Sequence, residues 1–293
     1  MTVTGDPPEE RTVTWLELLR ETESLVGDER HARWICETAT SSTPDEFRSM
    51  LGDQATERSV HHLDAMVARA RAGEPIQYVL GSWGFRRLDL AVDRRVLIPR
   101  PETELLVELA LERAGERSPT RTLVDLGTGS GAIGLALADE LPLDGTVVWL
   151  TDASSDALDV ARANLAGIGR PAANVRIVGG SWFDALPDGV VADVVVSNPP
   201  YVAVGSPDLD ASVAEWEPAD ALMSGDDGLD DIRTIVAGAA ARLVSDGWLL
   251  LEHGHDQGAA VRSLLADAGW AEVETWRDPA GHDRVTGGRR PPG

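Results

Sequence analysis

Apolar residues recur at helical spacing through roughly the first 75 positions. Trp15, Leu18, Leu19, Leu25 and Val26 fall on one helical face. Thr14-Trp15-Leu16-Glu17 stands before them as a capping box, in which the hydroxyl and the carboxylate each satisfy a free N–H of the first turn. Thr43-Pro44-Asp45-Glu46 repeats the device with Pro at the first helical position. Leu63, Met66, Val67 and Ala70 share a face between Ser59 and Arg71, and Gly73 marks that helix's end. Residues 1–11 read as a frayed tail. The pattern predicts a small helical domain over residues 1–75.

The texture changes at Pro75. Tyr78 to Phe85 and Leu88 to Val92 alternate apolar and polar residues around Arg86-Arg87, which predicts a β-hairpin within a linking segment, residues 76–101. Ile98-Pro99-Arg100-Pro101 must be extended, because each Pro disfavours helical geometry in the residue before it. Glu102 to Arg113 is an amphipathic helix whose acidic first turn suits the helix dipole. From Thr122 strand and helix patterns alternate. Strands are expected at 122–126, 147–151, 175–178, 193–197 and 248–252, and helices at 131–141, 155–166, 229–243 and 257–268. The first four strands are apolar on both faces, as buried parallel strands are. A terminal hairpin follows, at 271–277 and 283–287. Residues 102–293 thus predict an α/β domain with an open, doubly wound, mostly parallel sheet. Ser206 to Asp231, rich in Asp, Glu, Gly and Pro, reads as a long functional loop.

Composition narrows the chemistry. At 43% hydrophobic and 26% charged, the 293 residues can build a sizeable core, so global disorder is excluded. The net charge of −23, with 26 basic against 49 acidic side chains, argues against direct contact with a nucleic-acid backbone. Every basic residue is Arg, which excludes Schiff-base lysine chemistry and a P-loop lysine. The single cysteine, Cys36, excludes an intramolecular disulfide and a cysteine-rich zinc site. The six His lack metal-ligand spacing, so no metal is expected. The N-terminus has no signal-peptide pattern, and runs such as Gly247 to Leu251 are too short to cross a bilayer. The reading is a cytoplasmic protein without membrane contact.

Two segments carry candidate chemistry. Asp125-Leu126-Gly127-Thr128-Gly129-Ser130-Gly131 runs from a strand into a helix. Its glycines permit a sharp turn and close approach of a ligand, and the helix behind offers free N–H groups. Gly129, Gly131 and Gly134 also satisfy the dinucleotide fingerprint, which leaves a nicotinamide dehydrogenase open. Asp125 is expected to face the crevice, where it would suit a sulfonium and amino-acid group better than a pyrophosphate. Asp152 ends the next strand, where a carboxylate can accept both ribose hydroxyls or cap the helix that follows. The second segment is Asn198-Pro199-Pro200-Tyr201, at the end of the fourth strand. Two prolines leave a rigid backbone with no N–H donors. The Asn198 oxygen and the Pro199 carbonyl can accept the two N–H bonds of a planar NH₂ group while the Tyr201 ring packs on it. Such a site grips an amide or an aromatic amine.

The glycine loop and Asn-Pro-Pro-Tyr together resemble the amino-methyltransferases that use S-adenosylmethionine. Three more stretches narrow the likeness: Gly73 to Gly81, Leu97-Ile98-Pro99-Arg100-Pro101-Glu102-Thr103-Glu104, and Glu252-His253-Gly254 onward to Asp283-Arg284-Val285. Over about residues 14–290 the chain resembles the peptide chain release factor glutamine N5-methyltransferase family. That resemblance implies a Rossmann-like methyltransferase domain, an N-terminal helical domain that docks the substrate protein, and methyl transfer to the glutamine of a Gly-Gly-Gln motif in release factors. It implies that Gly127, Thr128, Gly129, Ser130 and Gly131 cradle the cofactor's methionine end, that Asp152 holds its ribose, and that Trp182 lies by its adenine. Asn198 to Tyr201 would hold the substrate glutamine, with Phe85, Ile98, Pro99 and Glu102 shaping its approach. Residues 31–58 match the family only in helical character. A ribosomal-protein glutamine methyltransferase has the same site and stays open. A DNA adenine-N6 methyltransferase shares the Asn-Pro-Pro-Tyr type motif, but the acidic charge counts against it. A cofactor-binding protein without catalysis leaves the tetrapeptide unexplained.

Overall fold

The computed structural model describes residues 13–115, 119–207 and 209–292; the expected tail at 1–11 lies outside them. The chain divides into two units, Met1–Gly81 and Ser82–Gly293. The first holds helices α1 (Trp15–Val26), α2 (Glu29–Thr40), α3 (Pro44–Ser49), α4 (Glu57–Arg71) and α5 (Ile76–Leu80). Both capping boxes form: the Glu17 N–H donates to the Thr14 hydroxyl at 3.3 Å, and Glu46 repeats this with Thr43 at 3.4 Å. Helix α2 shows how narrow a sufficient stripe can be. Only Ala32, Ile35, Cys36 and Ala39 are buried in an otherwise polar helix, and they recur at helical spacing. The core of this unit gathers Trp15, Leu18, Ile35, Phe47, Leu63 and Met66, with the Trp15 and Phe47 rings edge to face at 6.0 Å. Burial pushes the Cys36 thiol up to about 11, so it sits as a packed neutral group.

One expected strand is a helix. Residues 78–80 belong to α5 and not to the hairpin, and the hairpin strands are β1 (Ser82–Phe85) and β2 (Leu88–Ala91). Pro75 starts the turn, and Gly81, at φ 78°, closes it by donating its N–H to the Gln77 carbonyl at 2.9 Å. Arg69 stabilises the exposed end of this turn. Its guanidinium donates to the Tyr78 and Val79 carbonyls at 2.7 and 3.1 Å, and grips Glu74 through two bonds of 2.8 and 2.7 Å. These long-range ties override the two-residue alternation that suggests a strand. The boundary between the units consequently falls after Gly81, and the hairpin belongs to the second unit.

That unit continues with a 3₁₀ turn at Pro101–Thr103, α6 (Glu104–Gly115), β3 (Arg121–Leu126), α7 (Ala132–Glu140), β4 (Thr146–Asp152), α8 (Ser155–Gly167), β5 (Val175–Gly179) and β6 (Ala192–Ser197). Then come α9 (Ala211–Trp216), α10 (Asp230–Ala239), β7 (Leu243–Glu252), α11 (Gly258–Asp267), β8 (Ala271–Arg277) and β9 (Asp283–Arg289). The seven-stranded sheet has the order β5-β4-β3-β6-β7-β9-β8; β9 runs antiparallel to both its neighbours and the other pairings are parallel. Two expectations change here. The stretch 206–231 is not one loop, because Asp210 caps the short helix α9 through the Ser212 N–H at 2.7 Å. The helix expected to reach 243 stops at Ala239, and β7 begins at Leu243.

Strand residues alternate between two cores. Leu123, Val148, Leu150, Val194, Val196 and Leu250 pack with α6 and α7 on one face. Val124, Leu126, Val195, Leu249 and Leu251 pack with α10 and α11 on the other. Each such side chain contributes about 1.5–3 kcal/mol through burial. The chain leaves β3 to one side through β4 and β5 and returns to the other side of β3 as β6. The switch point therefore lies at the carboxyl ends of β3 and β6, where open α/β sheets bind ligands.

Replacing Arg69 by Met is expected to destabilise the first unit by about 2 kcal/mol in urea denaturation, since it removes two bonds from the buried Glu74 carboxylate and one from each of two carbonyls. The half-exposed guanidinium keeps the cost below the roughly 3–5 kcal/mol of a fully buried pair. Arg69→Lys should recover little, because an ammonium cannot make the fork.

Candidate functional site

The glycine loop caps the switch point and is held from beneath. The Thr128 N–H donates to the Thr151 carbonyl at 2.9 Å, which ties the loop to β4. The Asp125 Oδ2 accepts from the Thr128 hydroxyl at 2.5 Å and from the Gly134 N–H at 2.9 Å. Asp125 thus joins the end of β3, the loop and the first turn of α7. Gly127 has φ 67° and a Cβ there would meet the Trp182 ring at 3.2 Å. Gly134 has no room either: a Cβ would lie 2.5 Å from a Leu150 methyl. The first glycine frees the ligand side and the second lets α7 close on β4.

A cavity of about 600 Å³ opens above this loop. Of the expected cofactor residues, Gly127, Thr128, Gly129, Ser130, Asp152 and Trp182 line it, and Asn198 and Pro200 line it from the end of β6. Asp152 is bound on both oxygens: Oδ2 accepts from the Gly129 N–H at 2.9 Å and Oδ1 from the Ser154 N–H at 2.8 Å. Ser154, not Asp152, caps α8, through the Ala157 N–H at 3.2 Å. Burial raises the Asp152 carboxyl above its ordinary range against these backbone bonds. Trp182 occupies a left-handed conformation, φ 45°, that turns its ring over Gly127. The residues suit S-adenosylmethionine: a glycine cradle with no Cβ in its way, a carboxylate at the end of β4 for a ribose diol, and an indole for a base.

Several expected site residues are elsewhere. Asp125 does not face the crevice; it is 0% exposed beneath the loop and lines no part of the cavity. Its buried position makes it a support for the loop and not a partner for a sulfonium. Phe85 is 1% exposed and packs in the core with Leu90 and Leu106, so it shapes no substrate path. Gly131 lies behind the wall at φ 87° as the N-cap of α7. Pro199 is buried, and neither it nor Tyr201 nor Glu102 lines the cavity. Burial pushes the Tyr201 phenol up to about 12, so it remains neutral, and its charged neighbours include Glu252, Arg284 and Glu102. Asn198 donates from Nδ2 to the Thr103 hydroxyl at 3.4 Å.

Sequence reasoning missed three contributors. Asn164 of α8 pins the loop to the hairpin. It accepts from the Ala91 N–H at 2.7 Å and donates to the Ala91 and Ser130 carbonyls at 3.1 and 2.8 Å. Glu217, 6% exposed, accepts from the Ile98 N–H at 3.1 Å and from Arg100. With Arg94 stacked 3.9 Å from the Trp216 ring centre, this fastens the Ile-Pro-Arg-Pro strip to the segment after α9. Glu252, at the end of β7, is 0% exposed. A single Asn or Glu carries no periodic signal, so the contacts of Asn164 and Glu217 and the sealed position of Glu252, which the sequence shows only as part of a motif, come from the tertiary fold.

Burial raises the Asp125 carboxyl to about 7, outweighing the two hydrogen bonds that favour its charge. The stability tied to this protonation is present below the ordinary carboxylate range and is lost as pH rises through about 7. Asp125→Asn keeps an acceptor oxygen and carries no charge. Urea denaturation should therefore show wild type losing stability relative to Asp125→Asn between pH 5 and pH 8. A difference that stays constant with pH would contradict the buried neutral acid.

Among the described residues no cluster of His, Cys, Asp and Glu could hold a metal ion, and no helix is long and apolar enough to cross a membrane. Residues 101–215 match the methyltransferase small domain, and residues 15–81 match the PrmC N-terminal domain. In fold, the chain is similar to a methyltransferase from Pyrococcus furiosus (TM-score 0.52, 17% identity, covering 70% of this chain and 90% of that one). It is also similar to the T. thermophilus 16S rRNA N2 G1207 methyltransferase solved with AdoMet and guanosine (TM-score 0.51, 21% identity, covering 71% and 49%). Its curated relatives are nearer. The release factor glutamine methyltransferase of Pseudomonas aeruginosa is 48% identical over 271 residues, 91% of this chain and 96% of that protein. The Escherichia coli release factor glutamine methyltransferase is 40% identical over 276 residues, 94% of this chain and 97% of that one. At this identity over nearly the whole of each protein, the chain belongs to the release factor glutamine methyltransferase family.

Proposed function

We propose that this enzyme transfers a methyl group to the side-chain amide nitrogen (N5) of the glutamine in the Gly-Gly-Gln motif of peptide chain release factors. The observation that carries the reading is the pairing, in one cavity, of a glycine cradle with Asn198 and Pro200 at the adjoining strand end. S-adenosylmethionine, when bound, supplies a methyl group on a sulfonium leaving group. The chain's residues must do the rest. An amide nitrogen is a poor nucleophile because its lone pair is delocalised. The Asn198 oxygen accepts an N–H bond of the substrate amide and aims its nitrogen at the methyl carbon. It also stabilises the positive charge that grows on nitrogen as the methyl group is transferred. The surplus proton leaves nitrogen to water once the product amide is formed. Asp152 and Trp182 hold the ribose and adenine, and Gly127 to Gly131 the methionine end.

The charge of −23 fits a protein substrate with a basic face better than a nucleic acid. The adjacent arginines Arg86-Arg87 and Arg94-Arg95 support this, since in each pair one member is taken up by a carboxylate of the chain itself. Arg86 is engaged by Glu140 at 2.5 and 3.0 Å, and Arg95 by Asp93. We assign docking of the release factor to the helical unit, residues 1–81. The cytoplasm, where release factors work, is the compartment this reading requires.

Purified release factor, ribosomal protein and DNA, each incubated with the enzyme and methyl-labelled S-adenosylmethionine, test the reading directly. Label should enter the release factor and vanish when its Gly-Gly-Gln glutamine is changed to alanine. Label on DNA or ribosomal protein alone would overturn it. Asn198→Ala should lower kcat by about 10²–10³, the usual loss for one preorganised polar group, with cofactor affinity unchanged. Asp152→Ala should instead weaken cofactor binding by about 10–100-fold in calorimetry, the value of a charge-assisted hydrogen bond.

A further inference from the structure

The stretch that begins at Glu252-His253-Gly254 has no task in the methyl transfer itself, yet it reaches the Asn-Pro-Pro-Tyr turn through Gln257, the residue before α11. Gln257 Nε2 donates to the Tyr201 carbonyl at 3.0 Å and to the Asp227 and Gly228 carbonyls at 3.4 Å each. Its Oε1 accepts from the Gly254 N–H at 2.9 Å. Only one orientation of this amide fits. Turned over, it would set its oxygen against three carbonyls and its NH₂ against an N–H. Gly228 permits the approach: at φ 74°, a Cβ there would lie 2.3 Å from the Tyr201 carbonyl oxygen and 2.7 Å from Gln257 Nε2.

Gly254 is itself held in place. Its carbonyl accepts from the Gln257 N–H at 2.9 Å and from His253 Nδ1 at 2.8 Å. A carbonyl only accepts, so Nδ1 carries the His253 proton. Burial lowers the ring's pKa below its ordinary value, so the ring stays neutral and Nε2 accepts from the Thr286 hydroxyl at 2.7 Å. Thr286 then accepts from Thr275 at 2.7 Å, and Thr275 from Arg262 at 2.7 Å. The bonds run in one direction from Arg262 to Gly254, and Gly254 orients Gln257.

We propose that Gln257 is a positioning residue for methyl transfer, which holds the Tyr201 carbonyl and thereby fixes the turn that presents Asn198 to the substrate amide. Pro199 and Pro200 have no N–H with which to tie the turn to neighbouring backbone, so anchoring falls to its carbonyls. The same prolines have fixed φ, so a shift at Tyr201 is carried back toward Asn198 and is not absorbed between them. Just past the turn the chain is held by backbone: Val202 donates to the Leu222 carbonyl at 2.8 Å, and Ser224 to the Val202 carbonyl at 2.9 Å. Gln257 adds the side-chain donor at the turn itself and joins it to the loop before α10 and the end of β7.

This inference rests on the glutamine-amide reading, and its tests separate the two. At about pH 8, where an ordinary carboxyl is ionised, Gln257→Glu keeps an acceptor for Gly254 and loses the donor to Tyr201. With release factor as substrate its kcat should fall by about 10²-fold, the usual effect of moving a reacting group by about 1 Å. Cofactor affinity in calorimetry and KM for the release factor should stay at wild-type values. Gln257→Leu, which brings no charge into the loop, should lose kcat in the same way. Asn174→Ala removes a like bond, from Nδ2 to the Leu143 carbonyl at 2.7 Å, and should keep wild-type kcat. A second readout needs no substrate. The chain has two tyrosines, so carbonyl-¹³C tyrosine gives two signals. That of Tyr201 should move upfield in both Gln257 variants, while that of Tyr78, held by Arg69, stays fixed. If wild type does not methylate the release factor but the Tyr201 signal moves, the substrate reading fails and the anchor stands. Wild-type kcat in both Gln257 variants, or a Tyr201 signal that does not move, overturns the proposal.

Discussion

The Asp125 carboxyl lies at the end of β3 with no solvent contact, and the loop above is folded around it. One oxygen takes both a side-chain hydroxyl and a backbone N–H, from opposite ends of the turn. The backbone from Thr128 to Gly134 cannot relax without breaking one of them. Everything that lines the cofactor side of the cavity hangs on that constraint. Gly129 reaches Asp152 only in this turn, Ser130 presents its carbonyl to Asn164, and Asn164 carries the tie on to the hairpin. A carboxyl suits this position because a single oxygen can accept both bonds at once, whether or not the other oxygen carries a proton.

The doubly wound sheet was legible because its signal is strong and local. Strands such as Asp193 to Ser197 are short, apolar on both faces and bounded by turn residues, and they recur between amphipathic helices. The site was legible where backbone chemistry dictates the residue: glycine where φ is positive, and two prolines where donors must be absent. What escaped was decided by distance in sequence. Residues 78–80 alternate like a strand, yet Arg69 claims their carbonyls and the turn becomes helical. Phe85 lies next to a motif and looked functional, but the hairpin folds it into the core. Asp125 was correctly placed at the strand end, and its direction was wrong, because a one-residue difference on a strand exchanges faces.

The substrate side is built by a different logic. The Ile-Pro-Arg-Pro strip has no regular pairing of its own, and its prolines cannot enter a ladder. Glu217 holds it by binding both the Ile98 N–H and the Arg100 guanidinium, while Arg94 stacks on Trp216. The acid-rich stretch before α10 is thereby more than a solvated loop. Its short helix α9 exists to carry Trp216 and Glu217 to these contacts. Strip and strap both reach the cavity wall, at Pro99 and Arg100 on one side and Pro218 and Asp220 on the other.

Two buried carboxyls, Asp125 and Glu252, stand at the carboxyl ends of strands on either side of β6, and both are raised to about 7 by desolvation. Their surroundings differ in a way that separates their roles. Asp125 has one oxygen fully engaged, so its protonation changes the charge beneath the loop while the bonds that shape it persist. Glu252 has no such bonds, so its protonation breaks no contact that shapes the strand end. The first acid can therefore serve as a fixed support over a wide pH range, which the second, unbonded, does not provide. Between them lies Asn198, whose backbone is rigid on account of the prolines that follow and whose side chain still has two orientations to choose from. Rigidity of the turn alone cannot make that choice, because the two ends of an amide are nearly the same size. Only an asymmetric hydrogen-bond partner can, and the Thr103 hydroxyl, which accepts from Asn198 Nδ2 at 3.4 Å, is the one the fold places there.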